Sequence, residues 1–286
     1  MTSDLPYKRL MKRDFIKMHG LGNDFVIIDG RITPFQHTPA KLIAMANRRR
    51  GIGCDQFMIL LPPQSPEADL YMDMYNADAS VVRACGNATR CVASLLFQET
   101  GRDTAIIETI SGLLRVWKDG DDVAVDFGPP RLEWQQIPTA HAVDTLHVDL
   151  KAEGLVDACC VNVGNPHAVF FVKDAEAINL SQVGPILEHN PLFPDRCNIE
   201  AVQILPGNIM RMRVWERGTG ITEACGSGAC ATLVAAVRRG LSERRATIRL
   251  DGGDLTVEWR TDDHVILIGS YFEAYRGTFD ECDYEE

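Results

Sequence analysis

The chain carries its apolar residues in short runs. Phe25-Val26-Ile27-Ile28, Ala105-Ile106-Ile107, Val123-Ala124-Val125, Ala168 to Val172 and Val265-Ile266-Leu267-Ile268 are bounded mostly by Gly, Asp or Pro and predict strands. Two segments depart from that pattern. Ala88 to Glu99 and Ala229 to Arg239 are made of helix-forming residues and stopped by Gly101 and Gly240, so they predict helices closed by glycine. Each follows a Cys-Gly dipeptide, Cys85-Gly86 and Cys225-Gly226. Gly128-Pro129-Pro130, near the middle, cannot continue a central strand because proline has no N–H for the ladder, and it marks the expected joint between two units. Leu61-Pro62-Pro63-Gln64-Ser65-Pro66 reads as a surface turn.

Polar residues repeat across that joint. Gly22-Asn23-Asp24-Phe25 and Gly164-Asn165-Pro166-His167 both precede apolar runs, and Gln56 follows Asn23 by the interval, 33 residues, that separates Asn198 from Asn165. Asn76 precedes Cys85 by nine residues and Glu216 precedes Cys225 by nine, with Ala-Cys-Gly written at both 84–86 and 224–226. Matched offsets of this kind are the mark of a duplicated unit. A chain of 286 residues has room for two domains at roughly 150 residues each.

Composition narrows the partners. With 45% hydrophobic and 24% charged residues the chain is expected to fold as an ordinary globular protein. A net charge of -11 and a pI near 5.1 oppose binding to nucleic acid or to an anionic membrane surface and favour a small-molecule ligand. The apolar runs fall far short of the ~18 residues of a membrane span. Met1 to Lys12 has no hydrophobic signal core, so the expected location is the cytoplasm. Nine cysteines are too few for a disulfide scaffold in a chain of this length, and all are expected to be reduced.

A cysteine just before a Gly-rich helix start meets unsatisfied backbone N–H groups and the positive end of the helix dipole, which favour its thiolate. The N–H groups of Gly86-Asn87 and Gly226-Ser227 could also cradle a carboxylate from two sides. Removing an α-proton from an amino acid without a cofactor needs a positioned base and electrostatic help at the carboxylate. Inversion further needs an acid on the opposite face, and a quasi-twofold pair of cysteines meets that demand. Each feature also has a plain structural reading. Cysteines are usually buried small hydrophobes, and that reading is kept for Cys54, Cys91, Cys159, Cys160, Cys197, Cys230 and Cys282. Asn23, Gln56, Asn76, Asn165 and Asn198 taken singly would be turn or cap residues. His167 could be a satisfied surface histidine and Glu216-Arg217 an exposed ion pair of little value. The shared offsets are what raise these residues above the plain reading. Arg48-Arg49-Arg50 and the basic residues from Arg238 to Arg245 are expected at solvated helix ends.

The motifs His19-Gly-Leu-Gly-Asn23-Asp-Phe25, Gly53-Cys-Asp55-Gln56, Tyr75-Asn76-Ala-Asp78, Ala84-Cys85-Gly86-Asn87, Gly164-Asn165-Pro-His167, Glu216-Arg217-Gly218 and Ala224-Cys225-Gly-Ser-Gly-Ala229 run along nearly the whole chain, which closely resembles the diaminopimelate epimerase family. The resemblance implies interconversion of LL- and meso-diaminopimelate without pyridoxal phosphate or metal, a step toward lysine and peptidoglycan. It implies that Cys85 is the acid/base facing the L configuration and Cys225 its partner facing the D configuration, with His167 and Glu216 tuning the thiols. Asn23, Gln56, Asn76, Asn165, Asn198, Glu216 and Arg217 then match substrate-binding positions, and Gly86-Asn87 and Gly226-Ser227 the backbone cradle. Arg217, whose fork can bond both oxygens of a carboxylate, is the natural partner for the distal carboxylate. The implied fold is α+β: a duplicated pair of similar domains, each a mixed, barrel-like sheet wrapped around a central helix, with the active site in the cleft. The expected units are 1–128 and 129–270, with 271–286 packing back on the first. The family also implies a homodimer. Departures are Ala79 and Ala88 at positions usually glycine, Gly269-Ser270-Tyr271 in place of Gly-Pro-Ala, and residues before about Met11, which overrun the usual start.

Two other readings compete. A proline or hydroxyproline racemase shares the two-cysteine logic but handles a compact monocarboxylate, against which the Asn-rich set and Arg217 argue. A thiol redox or metal protein would usually show Cys-x-x-Cys, whereas five residues separate Cys85 from Cys91 and four separate Cys225 from Cys230.

Overall fold

In the computed structural model, which describes residues 12–284, the first half contains β1 (Lys12–Gly20), β2 (Asn23–Asp29), α1 (Pro39–Ala46), β3 (Gln56–Leu61), β4 (Leu70–Asn76), α2 (Gly86–Thr100), β5 (Thr104–Thr109), β6 (Gly112–Asp119) and β7 (Asp122–Asp126). After Gly128-Pro129-Pro130 come β8 (Val148–Ala152), β9 (Leu155–Asn162), β10 (Pro166–Val172), α3 (Leu180–Glu188), β11 (Asn198–Leu205), β12 (Ile209–Glu216), β13 (Gly220–Ile221), α4 (Gly226–Arg238), β14 (Arg245–Leu250), β15 (Gly253–Trp259), β16 (Val265–Gly269) and β17 (Phe272–Asp280). The segment before Met11 lies outside the described residues.

Strand pairing is continuous. It runs β17-β1-β2-β3-β4-β5-β6-β7 through the first half, crosses by the antiparallel β7–β16 pair, and continues through β15, β14, β12, β11, β10 and β9. Each half wraps its sheet around one helix. Along α2 the residues Ala88, Cys91, Val92, Ala93, Leu96 and Phe97 are buried, and along α4 an Ala-rich run from Ala229 to Ala236 is buried. Both helices are buried on most sides, a coverage that the surrounding sheets supply. Each buried Leu or Val side chain there contributes about 1.5–3 kcal/mol relative to exposure. The two central helices end as their glycines predict: Gly101 takes φ 69° and returns its N–H to the Phe97 carbonyl, and Gly240 takes φ 67°.

The duplicated offsets are registers. Parallel strands β2 and β3 set Phe25 opposite Gln56, and parallel strands β10 and β11 set His167 opposite Asn198. All five strands read from the apolar runs are present. Two helices were not foreseen, α1 and α3, which cover the outer faces of their sheets. α1 carries a start signal, Thr38 accepting the Lys41 N–H at 3.2 Å with Pro39 in the first turn, but only eight residues of pattern. α3 contains Pro185, which obscures any helical reading. Ala79 takes φ 63°, which accounts for glycine being usual there, while Ala88 lies within right-handed α2.

Candidate active site

The two cysteines occupy the same structural position. Cys85 caps the N-terminus of α2 with φ -146° and ψ 105°, and Cys225 caps α4 with φ -125° and ψ 107°. The helix starts abut: a side-chain carbon on Gly226 would sit 3.7 Å from both the Gly86 Cα and Asn87 Oδ1. Leu267 of β16 wedges against both starts, since a carbon on either Gly86 or Gly226 would come within 2.9 Å of its Cδ2. A side chain at either glycine would force Leu267 to move, and at Gly86 Phe127 as well. The Asn87 amide spans the junction, donating from Nδ2 to the Ala224 carbonyl at 3.3 Å and to Asn23 Oδ1 at 3.4 Å.

In the first half, Asn23 donates its Nδ2–H to Asp55 at 3.2 Å, which turns Oδ1 toward the Cys85 thiol, 3.7 Å away. Asp55 is held in turn by Arg48, which also pairs with Asp24 at 2.7 Å. Arg48 is thus part of the frame behind Asn23, not merely a solvated helix end. Gln56 donates from Nε2 to Asn76 Oδ1 at 3.0 Å, and Asn76 donates to Ser80 at 2.9 Å. The Gln56 Oε1 is buried and has no hydrogen-bond partner among the described residues.

In the second half, His167 is fully buried, with Nδ1 2.6 Å from Glu200 Oε1 and Nε2 2.8 Å from Asn165 Oδ1. Asn198 is also buried and committed to backbone: Nδ2 donates to the Pro166 carbonyl at 2.9 Å and Oδ1 accepts the Arg217 N–H at 2.9 Å. It fastens the Asn165-Pro166-His167 turn to Glu216-Arg217. Glu216 accepts from the Thr222 hydroxyl and from the Cys225 thiol. The Cys225 sulfur accepts the Gly228 N–H at 3.3 Å and lies 3.6 Å from the Ser227 hydroxyl. Arg217 donates from Nη1 to the Asp195 carbonyl at 2.9 Å. Arg238 is likewise not simply solvated: it donates to the Cys160 carbonyl and to Thr145.

The helix-start N–H groups pull both thiols down, as expected, but the net shift at each is upward. Burial pushes the Cys85 thiol up to about 11; the Ala88 N–H and Arg90 pull it down and Glu216 pushes it further up. Burial pushes Cys225 well above the ordinary thiol range, and the charges of Glu216 and Glu200 add to that. Loss of water outweighs the backbone N–H groups at both sites.

The sequence reading missed two residues here, Glu200 and Arg90. Glu200 lies two residues beyond Asn198 on the same face of β11, a placement the strand period could have flagged. A carbon on Gly228 would lie 3.1 Å from Glu200 Oε1 and 3.3 Å from the Cys225 sulfur, so both groups border the first turn of α4, and the Glu200 charge acts on the thiol. Glu200 Oε2 is buried with no hydrogen-bond partner among the described residues. Arg90 is four residues after Gly86, one helical turn, and fully buried.

The diaminopimelate epimerase family model matches residues 15–133 and 159–272. A curated diaminopimelate epimerase of Rhodospirillum centenum is 57% identical over 272 residues, covering 95% of this chain and 94% of that protein. The diaminopimelate epimerase of Caulobacter vibrioides is 45% identical over 285 residues, covering 95% of this chain and 99% of its own. Among solved structures, a hydroxyproline epimerase from Agrobacterium vitis with bound trans-4-hydroxy-L-proline superposes with a TM-score of 0.69 at 16% identity, over 96% of this chain and 93% of that one. A phenazine biosynthesis protein of the PhzF family from Enterococcus faecalis gives 0.68 at 16% identity, over 94% and 99%. At such identities these structures share the fold.

Proposed function

The chain belongs to the diaminopimelate epimerase family, and from that premise we propose that it converts LL- to meso-diaminopimelate with Cys85 and Cys225 as opposed acid and base, without pyridoxal phosphate or metal. The observation that carries this reading is the pair of matched N-cap thiols at two abutting helix starts. The α-carboxylate binds the N–H groups of Gly86-Asn87 and Gly226-Ser227, where two helix dipoles favour an anion. One cysteine, as thiolate, takes the α-proton from one face, and the thiol of the other delivers its own proton to the opposite face. A C–H bond breaks and another forms, a thiolate becomes a thiol and a thiol a thiolate, and no electron is gained or lost.

Burial holds both thiols above the ordinary range. A carboxylate and an ammonium entering the cleft would change that balance, and His167 and Glu216 are the groups placed to tune it. Asn23, Gln56, Asn76, Asn165 and Asn198 order the walls, and Arg217 takes the distal carboxylate with its fork. The units are 1–128 with 271–286, and 129–270. Among the described residues no helix is long and apolar enough to cross a membrane. The proposed setting is the cytoplasm, as an enzyme of lysine and peptidoglycan precursor synthesis. The homodimer is supported by Phe272 and Tyr275, which stay exposed on β17, a strand paired only with β1 among the described residues.

Conversion of LL-diaminopimelate in heavy water tests the reading. Product should gain deuterium while recovered substrate at early times does not, because thiol protons on opposite faces do not mix in one turnover. Equal labelling of both pools would indicate one shared base and end the two-cysteine mechanism.

A further inference from the structure

Among the described residues the bulkiest fully buried side chain is a cation. Arg90 stands on the second turn of α2, and its guanidinium donates from Nε to the Ser270 carbonyl at 3.1 Å, from Nη1 to the Gly86 carbonyl at 3.3 Å and from Nη2 to Asn87 Oδ1 at 3.0 Å. All three acceptors are neutral. Among the described residues no carboxylate forms an ion pair or hydrogen bond with it, and Asp122 of β7 acts only through space. A carbon on Gly20 would lie 3.1 Å from Nη2, and one on Gly269 3.3 Å from Nε, so two strand ends close over the guanidinium and glycine leaves it room. A guanidinium does not shed its proton to escape burial, so an enclosed one without a counter-ion is costly to the fold. A methionine of similar length would avoid that cost. The question is which anion the charge serves.

Its hydrogen bonds point to the answer. Accepting from a cation polarises the Gly86 carbonyl, and the N–H at the other end of that peptide is the Asn87 N–H, one of the donors at the helix start. Fixing Asn87 Oδ1 sends its Nδ2 to the Ala224 carbonyl, the residue before Cys225, and to Asn23, which faces Cys85. Arg90 therefore stands behind both helix starts and connects to each thiol's surroundings.

We propose that Arg90 is a positioning residue for the reaction, a built-in cation that acts through the Gly86–Asn87 peptide and the Asn87 amide to charge the carboxylate cradle and to favour a thiolate on Cys85. The charged and titratable groups around Cys85 are Arg90 and Cys91 of α2 and Glu216 of β12, and those around Arg90 are Cys85, Cys91, Asp122 and, from α4, Cys230. Arg90 is the one cation among them and is set against the burial and the Glu216 charge that hold the Cys85 thiol up. This inference rests on the two-cysteine reading above, but its test does not need turnover.

The test is the pH dependence of Cys85 and Cys225 alkylation by iodoacetamide, located by peptide mapping, in wild type, Arg90→Met and Arg90→Lys. The Met variant should move the Cys85 midpoint up by about one pH unit or more, and the Cys225 midpoint by less. Arg90→Lys loses the fork, and a buried ammonium beside a thiol pushed up to about 11 also sheds its proton, so the Cys85 midpoint should rise in this variant too, with KM for diaminopimelate raised roughly tenfold through a misdirected Asn87. An unmoved Cys85 midpoint in Arg90→Met overturns the proposal. If that variant does not fold, the Lys variant decides: a Cys85 midpoint that rises supports the proposal, and one that stays at the wild-type value overturns it. Failure of the two-cysteine reading would show separately, as undiminished epimerisation in Cys85→Ala.

Discussion

The two halves share a backbone plan and differ in where they keep charge. Where the second half pairs His167 with Glu200 in a fully buried contact, the matching residues of the first half, two positions beyond Asn23 and Gln56, are Phe25 and Met58, both buried in an apolar cluster. Where the first half buries Arg90, five residues beyond its cysteine, the second places Cys230. Where the first has Asn76-Ala77, the second has Glu216-Arg217. The Cys85 thiol thus feels a cation, Arg90, against one carboxylate, Glu216, whereas Cys225 feels two carboxylates, Glu216 and Glu200. Duplication supplied equal geometry for the two thiols, and divergence of a few polar positions gave them unequal fields. That suits a substrate whose ends must be told apart.

The strongest way to break this comparison is to remove each thiol in turn. Cys85→Ala and Cys225→Ala should each lower kcat/KM by on the order of 10³-fold or more, since one acid/base group contributes about 10²–10⁴. Steady-state assays in both directions check this, and a variant retaining a tenth of wild-type activity would show that the halves are not partners. The next effect is smaller. Arg217 has only Ala77 as its counterpart, so the distal carboxylate is expected to depend on one half alone. Arg217→Lys should cost about 10–100-fold in kcat/KM, part of it in KM, because a charge-assisted fork is worth roughly 1.5–3 kcal/mol. Unchanged kinetics, or efficient racemisation of proline by the wild type, would put the distal pocket elsewhere.

The smallest effects are on stability, and they carry opposite signs. In the first half, burial raises Asp24, but hydrogen bonds from Arg48 and Lys17 outweigh it and hold the carboxyl far below the ordinary range. Its stabilisation is present above the unfolded carboxylate range and is lost as pH falls. In the second half, burial raises Glu216 and Glu200 despite hydrogen bonds from Thr222, Cys225 and His167. Their contribution is present below the unfolded range and is lost as pH rises through the raised value. Asp24→Asn should therefore flatten the acid side of a plot of Tm against pH, and Glu216→Gln the neutral side. Each difference should stay below about 4 °C, the scale of one kcal/mol in a chain of this size. Parallel curves for both variants would remove the electrostatic contrast.

Much of the site is legible in the sequence because duplication writes itself as matched intervals. Asn23, Gln56, Asn76 and Cys85 recur as Asn165, Asn198, Glu216 and Cys225, and the helix starts follow the two Cys-Gly dipeptides ahead of helix-forming runs. The repeat does not mark Glu200 or Arg90, because each lies on the unmatched side of the duplication with Met58 and Cys230 as counterparts, and only the strand period beyond Asn198 points to Glu200. α3 is hidden by Pro185 and α1 by its brevity.

The sequence by itself determined the periodic elements, the glycine stops, the twofold repeat and the residue types at its polar positions, because these depend on local backbone chemistry and chain order. Tertiary structure alone decided the rest. It set Leu267 between two glycines, closed Gly20 and Gly269 over a buried guanidinium, and raised both thiols. A pKa answers to the water and charges around a group, and residues far apart in sequence supply them only once the chain has folded.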